Sequence, residues 1–256
     1  VTPEQAKDDE YLSSRIQKEL NLSDDSFQFV WKRRSIDARK RDIKINCTFT
    51  VYDSGEKEEV QSFYVPQNVS NAKSVAIIGS GPAGLFAALE AILLGLKPII
   101  FERGKDVRSR RRDLAVLNKE SIVNPESNYC YGEGGAGTYS DGKLYTRSKK
   151  KGNILKILEW FVHFGAHKDI LVDAHPHIGT NKLPQIIVAM REAIIENGGE
   201  VRFDSKLTDI SVVDGSVSSI TINDTEELEF DSVILATGHS ARDIFELFNK
   251  KNWELN

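Results

Sequence analysis

Hydrophobic positions along the chain fall into three spacings, and each predicts a different element. Between Asp8 and Leu20, Tyr11, Leu12, Ile16 and Leu20 recur at helical spacing and predict an amphipathic helix. Phe27, Phe29 and Trp31 alternate with polar residues, as do Ile43, Ile45, Cys47, Phe49 and Val51, which predicts half-buried strands. Ser54-Gly55 marks a turn into Val60–Val65 as a returning hairpin strand, and Pro66–Lys73 is a polar linker. The third spacing is an unbroken apolar run. Val75, Ala76, Ile77 and Ile78 form one, as expected of a strand buried on both faces.

Downstream, Leu85, Ala88, Leu89, Ile92 and Leu93 predict a helix that Gly95 ends, and Lys97–Phe101 a second strand. A basic run from Arg103 leads into a helix reaching about Lys119. Asn153–Phe164 and Leu183–Glu196 read as amphipathic helices. Glu200–Phe203, Leu207–Val213, Val217–Ile222 and Glu227–Phe230 read as the strands of a β-meander, with turns at Asp214-Gly215 and Asn223-Asp224. Val233–Ala236 then returns to a parallel sheet. The pattern divides the chain into a small α+β (ferredoxin-like) domain at 1–72 and an α/β Rossmann-like domain at 73–256.

The order strand, glycine turn, helix, strand, acid over Val75–Arg103 carries the clearest chemistry. Gly79, Gly81 and Gly84 fill G-x-G-x-x-G: the first for the tight turn, the second for close approach of a pyrophosphate, the third for helix–sheet packing. The helix N-terminus that follows, with Pro82 and Ala83 in its first turn, presents free N–H groups and a partial positive charge to phosphates. Glu102 stands 23 residues after Gly79, where a carboxylate can accept from ribose hydroxyls, and it disfavours a 2′-phosphate there.

Two further segments sharpen this reading. The turn GSGPAGLFAA resembles the first fingerprint of FAD-binding two-dinucleotide-fold flavoproteins, and FDSVILATG (Phe230–Gly238) resembles their Ala-Thr-Gly strand. Together with YGEGGAGTYSDGKLYTR from Tyr131, DAHPHIGTNKLP from Asp173 and ATGHSARD from Ala236, most of the chain resembles the uncharacterised bacterial FAD-dependent or NAD(FAD)-utilising dehydrogenases. The resemblance implies an FAD/NAD(P)-binding Rossmann-like sheet with an inserted β-meander, FAD as cofactor and NAD(P)H as candidate reductant. It implies cofactor contacts from Gly135, Ala136, Gly137 and Thr138, from the backbone at Lys206 and Leu207 to adenine, and from Ala236, Thr237 and Gly238. It also implies a last FAD motif and substrate-domain strands that this sequence, ending 18 residues after Gly238, does not contain.

Composition narrows the partners. Hydrophobic content of 40%, charged content of 28% and a net charge of −4 describe a globular protein without a global nucleic-acid or membrane signal. No apolar stretch is long enough to span a bilayer, and no charged region followed by an apolar one opens the chain. Two cysteines far apart, Cys47 and Cys130, fit a reducing cytoplasm better than a disulfide framework.

Other candidates are weighed against plainer roles. Arg103 or Arg112 could pair with a pyrophosphate, the rest of that cluster being a solvated helix face. His239, directly after Ala-Thr-Gly, is the candidate for proton donation; otherwise it is a turn or capping histidine. Cys130 lacks the nearby second cysteine of flavin disulfide reductases and reads as a buried inert thiol. His163, His167, His175 and His177 have no supporting acidic or cysteine cluster, so no metal site is expected. Lys32–Lys44 holds seven Lys or Arg against two Asp, but Phe27, Phe29 and Trp31 beside it read as a packed strand rather than a base-stacking surface. The sequence therefore points to a flavoprotein oxidoreductase acting on a small molecule. The alternatives are a flavin-linked RNA-modifying or RNA-binding protein and a non-catalytic dinucleotide-binding fragment.

Overall fold

A computed structural model describes residues 1–22, 27–53, 56, 67–146, 152–179 and 181–254. The expected turn at Ser54-Gly55 and the strand at Val60–Val65 lie outside these residues. The chain divides into two compact units, Val1–Phe63 with Asp141–Gly179, and Tyr64–Ser140 with Thr180–Asn256. This division differs from the expected halves at 1–72 and 73–256, because a segment from the middle of the chain folds with the N-terminal residues.

In the first unit, α1 (Asp9–Leu20) starts where the Asp8 side chain accepts the Tyr11 N–H at 3.0 Å. It buries Leu12 and Ile16, while Leu20 is exposed. Strands β1 (Gln28–Asp37) and β2 (Lys44–Tyr52) pair antiparallel. Among the described residues this sheet has two strands, where a ferredoxin-like unit has four. Phe29 and Trp31 of β1 pack on Phe49 of β2, with ring centroids 5.1 and 4.4 Å apart, so these half-buried aromatics contact one another across the ribbon. The basic stretch runs along the end of β1, its exposed connection and the start of β2. Arg34 ties in the mid-chain segment. Its N–H donates to the Val172 carbonyl at 2.7 Å, its carbonyl accepts from Ala174 N–H at 2.9 Å, and its guanidinium meets Asp173 at 2.7 Å and Asp169 at 2.9 Å. Asn153 caps α4 (Ile154–His163) by accepting the Lys156 N–H.

The second unit is built on a four-stranded parallel sheet of β3 (Ser74–Ile78), β4 (Lys97–Phe101), β5 (Glu200–Arg202) and β9 (Val233–Leu235), in the order β5-β4-β3-β9. All but the first residue of β3 are buried, as its unbroken apolar run requires. Helix α2 (Pro82–Leu93) lays Leu85, Ala88, Leu89 and Ile92 inward, and α5 (Leu183–Glu196) adds Ile186, Ile187, Met190 and Ile194. Helix α3 (Val107–Glu120) buries Val107, Arg110 and Leu114. Strands β6 (Leu207–Val213), β7 (Ser216–Ile222) and β8 (Glu226–Glu229) form an antiparallel meander. Its inner residues Leu207, Ile210, Ile220 and Ile222 join Phe101, Phe230 and Ile244 in one apolar cluster. Ile244 belongs to α6 (Arg242–Lys250).

The meander is one strand shorter than the sequence pattern predicted. Glu200–Arg202 pairs parallel with Ile99–Phe101, so it extends the central sheet. A three-residue strand reads alike in either sheet; its partner is chosen by where α5 delivers it.

The strand order reverses at β3. The chain builds outward through β4 to β5, then returns to place β9 on the other side of β3. Crevices at the carboxyl ends of parallel strands, at such a reversal, are where this architecture takes ligands.

Candidate functional site

A crevice of about 350 Å³ opens at that reversal, within the size range of small-molecule sites. Segments distant in sequence line it: Gly79 and Gly81–Ala83, the end of β4 with Glu102 and Arg103, Cys130–Gly132, Gly135–Ala136, Ser205–Leu207 at the start of the meander, and Leu235–Ala241. Of the residues singled out from sequence, Gly79, Gly81, Pro82, Ala83, Glu102, Arg103, Gly135, Ala136, Leu207, Ala236, Thr237, Gly238 and His239 therefore share one cavity.

The three glycines of the turn do three different things. Gly79 has φ +105°, and a Cβ there would stand 2.6 Å from the Ala236 carbonyl oxygen, so the turn and the Ala-Thr-Gly strand end touch backbone to backbone. Gly84 faces away from the crevice; a Cβ on it would stand 1.9 Å from the Gly79 oxygen. Gly81 is the N-cap of α2, has extended backbone (φ −68°, ψ −177°), and a Cβ there would find only the Gly135 Cα, at 3.9 Å. No side chain caps α2 and Pro82 opens it, so its first N–H groups are left toward the crevice.

Glu102, 4% exposed, accepts from inside the protein. Its Oε2 takes the Ser80 N–H at 2.8 Å and the Ser80 hydroxyl at 2.9 Å, and its Oε1 takes Gly104 N–H at 2.8 Å and Gly132 N–H at 3.0 Å. Arg103 is also engaged. Its guanidinium meets Glu126 at 2.6 Å and Asp243 at 3.0 Å and lies 4.2 Å from the Tyr131 ring centroid. Burial works against its charge, but the bonds to Glu126 and Asp243 outweigh burial and raise its pKa. Lys206 reaches the same two acids, at 3.1 and 3.7 Å, so two cations and two carboxylates alternate along this rim. Burial pushes the Glu126 carboxyl up, and Arg103 with Lys206 pulls it below its ordinary value. Tyr131 spans from the glycine loop to the Ala-Thr-Gly turn, its hydroxyl donating to the Ser240 carbonyl at 2.7 Å.

Three residues expected at the cofactor stand elsewhere. Arg112 is exposed on α3 and does not line the crevice. Gly137 is absent from its lining too. Thr138 is fully buried, its hydroxyl bonded to the Glu133 and Gly135 carbonyls at 2.9 Å each. Cys130, expected to be buried, is exposed and lines the crevice. His239 is exposed on the turn and does not cap α6, whose N-cap is Ala241.

The functional residue that sequence reading passed over is Arg110. It is fully buried, and its guanidinium donates to the carbonyls of Asn128 (2.9 Å), Tyr129 (3.2 Å), Gly132 (3.3 Å) and Glu133 (2.8 Å) and to Thr138 Oγ1 (3.0 Å). Burial lowers its pKa. Five bonds to one stretch hold the loop that carries Gly135 and Ala136. The signal was available: Val107, Arg110 and Leu114 share one face of α3, and an arginine on an apolar stripe must find internal acceptors. Glu133 on the same loop is fully buried, and burial raises its pKa despite the Val107 N–H it accepts at 2.7 Å and Arg191 at 3.3 Å.

Among the described residues, no three His, Cys, Asp or Glu side chains gather as a metal-ligand set. His167 instead accepts the Asp169 N–H, and His175 packs on Tyr145. No described helix is long and apolar enough to cross a membrane.

Residues 1–52 match the model of a family described as a domain of unknown function (DUF8436). A Clostridium beijerinckii protein described as uncharacterized is 37% identical over 258 residues, covering 94% of this chain and 48% of that protein. The chain thus spans about half the length of the curated relative it matches. Among solved structures it is similar to Thermovibrio ammonificans THI4, at 19% identity and a TM-score of 0.47, over 72% of this chain and 64% of that one. It is also similar to Lactococcus lactis thioredoxin reductase, at 18% identity and a TM-score of 0.34, over 65% of this chain and 35% of that one. The fold assignment rests on the sheet order and pairing described above.

Proposed function

We propose that this chain is the cofactor-binding part of an FAD-dependent oxidoreductase, with NAD(P)H as candidate reductant and a small molecule as substrate. One observation carries the reading. The uncapped N-terminus of α2, the glycine turn, Gly135–Ala136 and the Ala-Thr-Gly turn, all of which resemble flavoprotein motifs, face the same crevice at the strand-order reversal. The donor set suits a dinucleotide. Backbone N–H groups and a helix terminus favour a diphosphate, and the Gly81 position leaves room for it to approach the backbone.

In this reading the first amides of α2 bind the pyrophosphate, and the backbone at Leu207 forms the adenine wall. The loop held by Arg110 and the Ala236–Gly238 turn face the flavin half. FAD, when bound, supplies the redox chemistry; the protein binds, orients and tunes it. His239 on the same turn is the group positioned to move a proton.

The test is the visible spectrum of the purified protein after incubation with FAD and gel filtration. Retained flavin bands that bleach on adding NADH or NADPH are expected. Uptake of NAD without FAD, or a colourless protein after reconstitution, overturns the assignment.

A further inference from the structure

The ribbon of β1 and β2 holds two large apolar side chains in water at its connected end. Ile36 stands opposite Ile45, and Ile43 precedes Ile45 by two residues, so the strand period puts all three on one face. Ile45 is buried, at 9% exposed, whereas Ile36 is 72% exposed and Ile43 49%. The connection between the strands is cationic. Arg39, Lys40, Arg41 and Lys44 are exposed there against Asp37 and Asp42, and Arg39 is held by Asp37 at 2.6 Å. Lys40, Arg41 and Lys44 form no salt bridge with the described residues.

We propose that this end of the ribbon docks on the surface of an anionic lipid bilayer, with Ile36 and Ile43 entering the headgroup region and Lys40, Arg41 and Lys44 meeting the lipid phosphates. The inference concerns the first unit and is independent of the cofactor crevice. Cations and exposed aliphatic side chains on one tip match a lipid interface on both counts. A nucleic acid takes up the cations but leaves both isoleucines in water. A second protein surface matches less well, because stable interfaces bury about 1,200–2,000 Å² in total and two side chains fall far short of that. A bilayer sets no such threshold, since each apolar group partitions on its own and each cation adds its own attraction.

The test is cosedimentation of the chain with vesicles of phosphatidylcholine alone and of phosphatidylcholine containing about 30% phosphatidylglycerol, an anionic surface. Binding to the anionic vesicles should be at least about tenfold tighter than to the neutral ones, and should weaken as salt is raised. Ile36→Ser and Ile43→Ser should each weaken it about tenfold, and Lys40→Ala and Arg41→Ala about fivefold each. All four side chains are exposed, so the variants should unfold thermally as the parent does. Ile36→Trp supplies a positive signal. It keeps an apolar group at the tip, so it should bind as tightly as the parent, and the added emission should shift to the blue on anionic vesicles only.

Equal binding to the two vesicle types, binding to neither, or an Ile36→Trp emission that does not move overturns the proposal. So does loss of binding in the cation variants with none in the isoleucine variants, which together with tight binding of duplex RNA or DNA assigns the surface to a nucleic acid. Self-association without vesicles that Ile36→Ser abolishes assigns it to a second copy of the chain instead.

Discussion

Gly81→Ala separates ligand binding from folding more cleanly than any other change in the turn. The Gly81 backbone (φ −68°, ψ −177°) is one that any residue adopts, and the added Cβ meets only the Gly135 Cα at an ordinary 3.9 Å. Two effects on stability oppose each other. Restricting the unfolded chain stabilises by about 0.4–1 kcal/mol, whereas alanine is a poorer N-cap than glycine by a similar amount. The net is about zero, so the melting temperature should stay within about 3 °C of the parent. Binding behaves differently. The methyl stands where a phosphate oxygen would meet the backbone, and losing one charge-assisted hydrogen bond costs about 1.5–3 kcal/mol, or about 10- to 100-fold in Kd. Gly84→Ala is the internal contrast. Its Cβ would stand 1.9 Å from the Gly79 oxygen, backbone against backbone, so α2 must move off the turn at a cost of about 3 kcal/mol or more. Thermal unfolding without ligand and calorimetry with ADP and FAD read both quantities. A Gly81→Ala protein that melts as low as Gly84→Ala, or that binds as tightly as the parent, refutes the reasoning.

Arg110→Met should destabilise by about 3 kcal/mol in urea unfolding, because it leaves the carbonyls of Asn128 and Tyr129 without their donor and takes one of two donors from those of Gly132 and Glu133; a loss below about 1 kcal/mol would mean that the Asn128 and Tyr129 carbonyls find other partners. Burial raises the Glu133 pKa, so the folded state binds its proton more tightly than the unfolded chain does. Its contribution to stability is therefore fully present below the ordinary carboxylate pKa of about 4.3 and is lost as pH rises through the higher folded value. Glu133→Gln should flatten that part of the stability–pH curve, measured by urea titrations from acid to neutral pH; a curve with the parent's slope refutes the assignment.

Local order and pattern were enough to read the elements. The run Val75–Ile78, the stripe Leu85–Leu93 and the turn residues Asp214-Gly215 and Asn223-Asp224 each carry their conformation in a few neighbouring residues. The turn residues do so through a positive φ at all four positions. The glycine spacing was legible for the same reason, since G-x-G-x-x-G describes one local backbone path. Tertiary structure alone decided which partner each group meets. Nothing near Glu102 in the chain announces that Ser80 and Gly132 will take up its lone pairs. Nothing beside Arg112 says that Arg110, two residues away, is the one turned inward to hold the loop. Nor could spacing assign Glu200–Arg202 to the parallel sheet, or fold residues 141–179 with the N-terminal ribbon through Arg34. Backbone conformation is set over a few residues, whereas charge satisfaction and strand pairing depend on groups that only the folded chain brings within hydrogen-bonding distance.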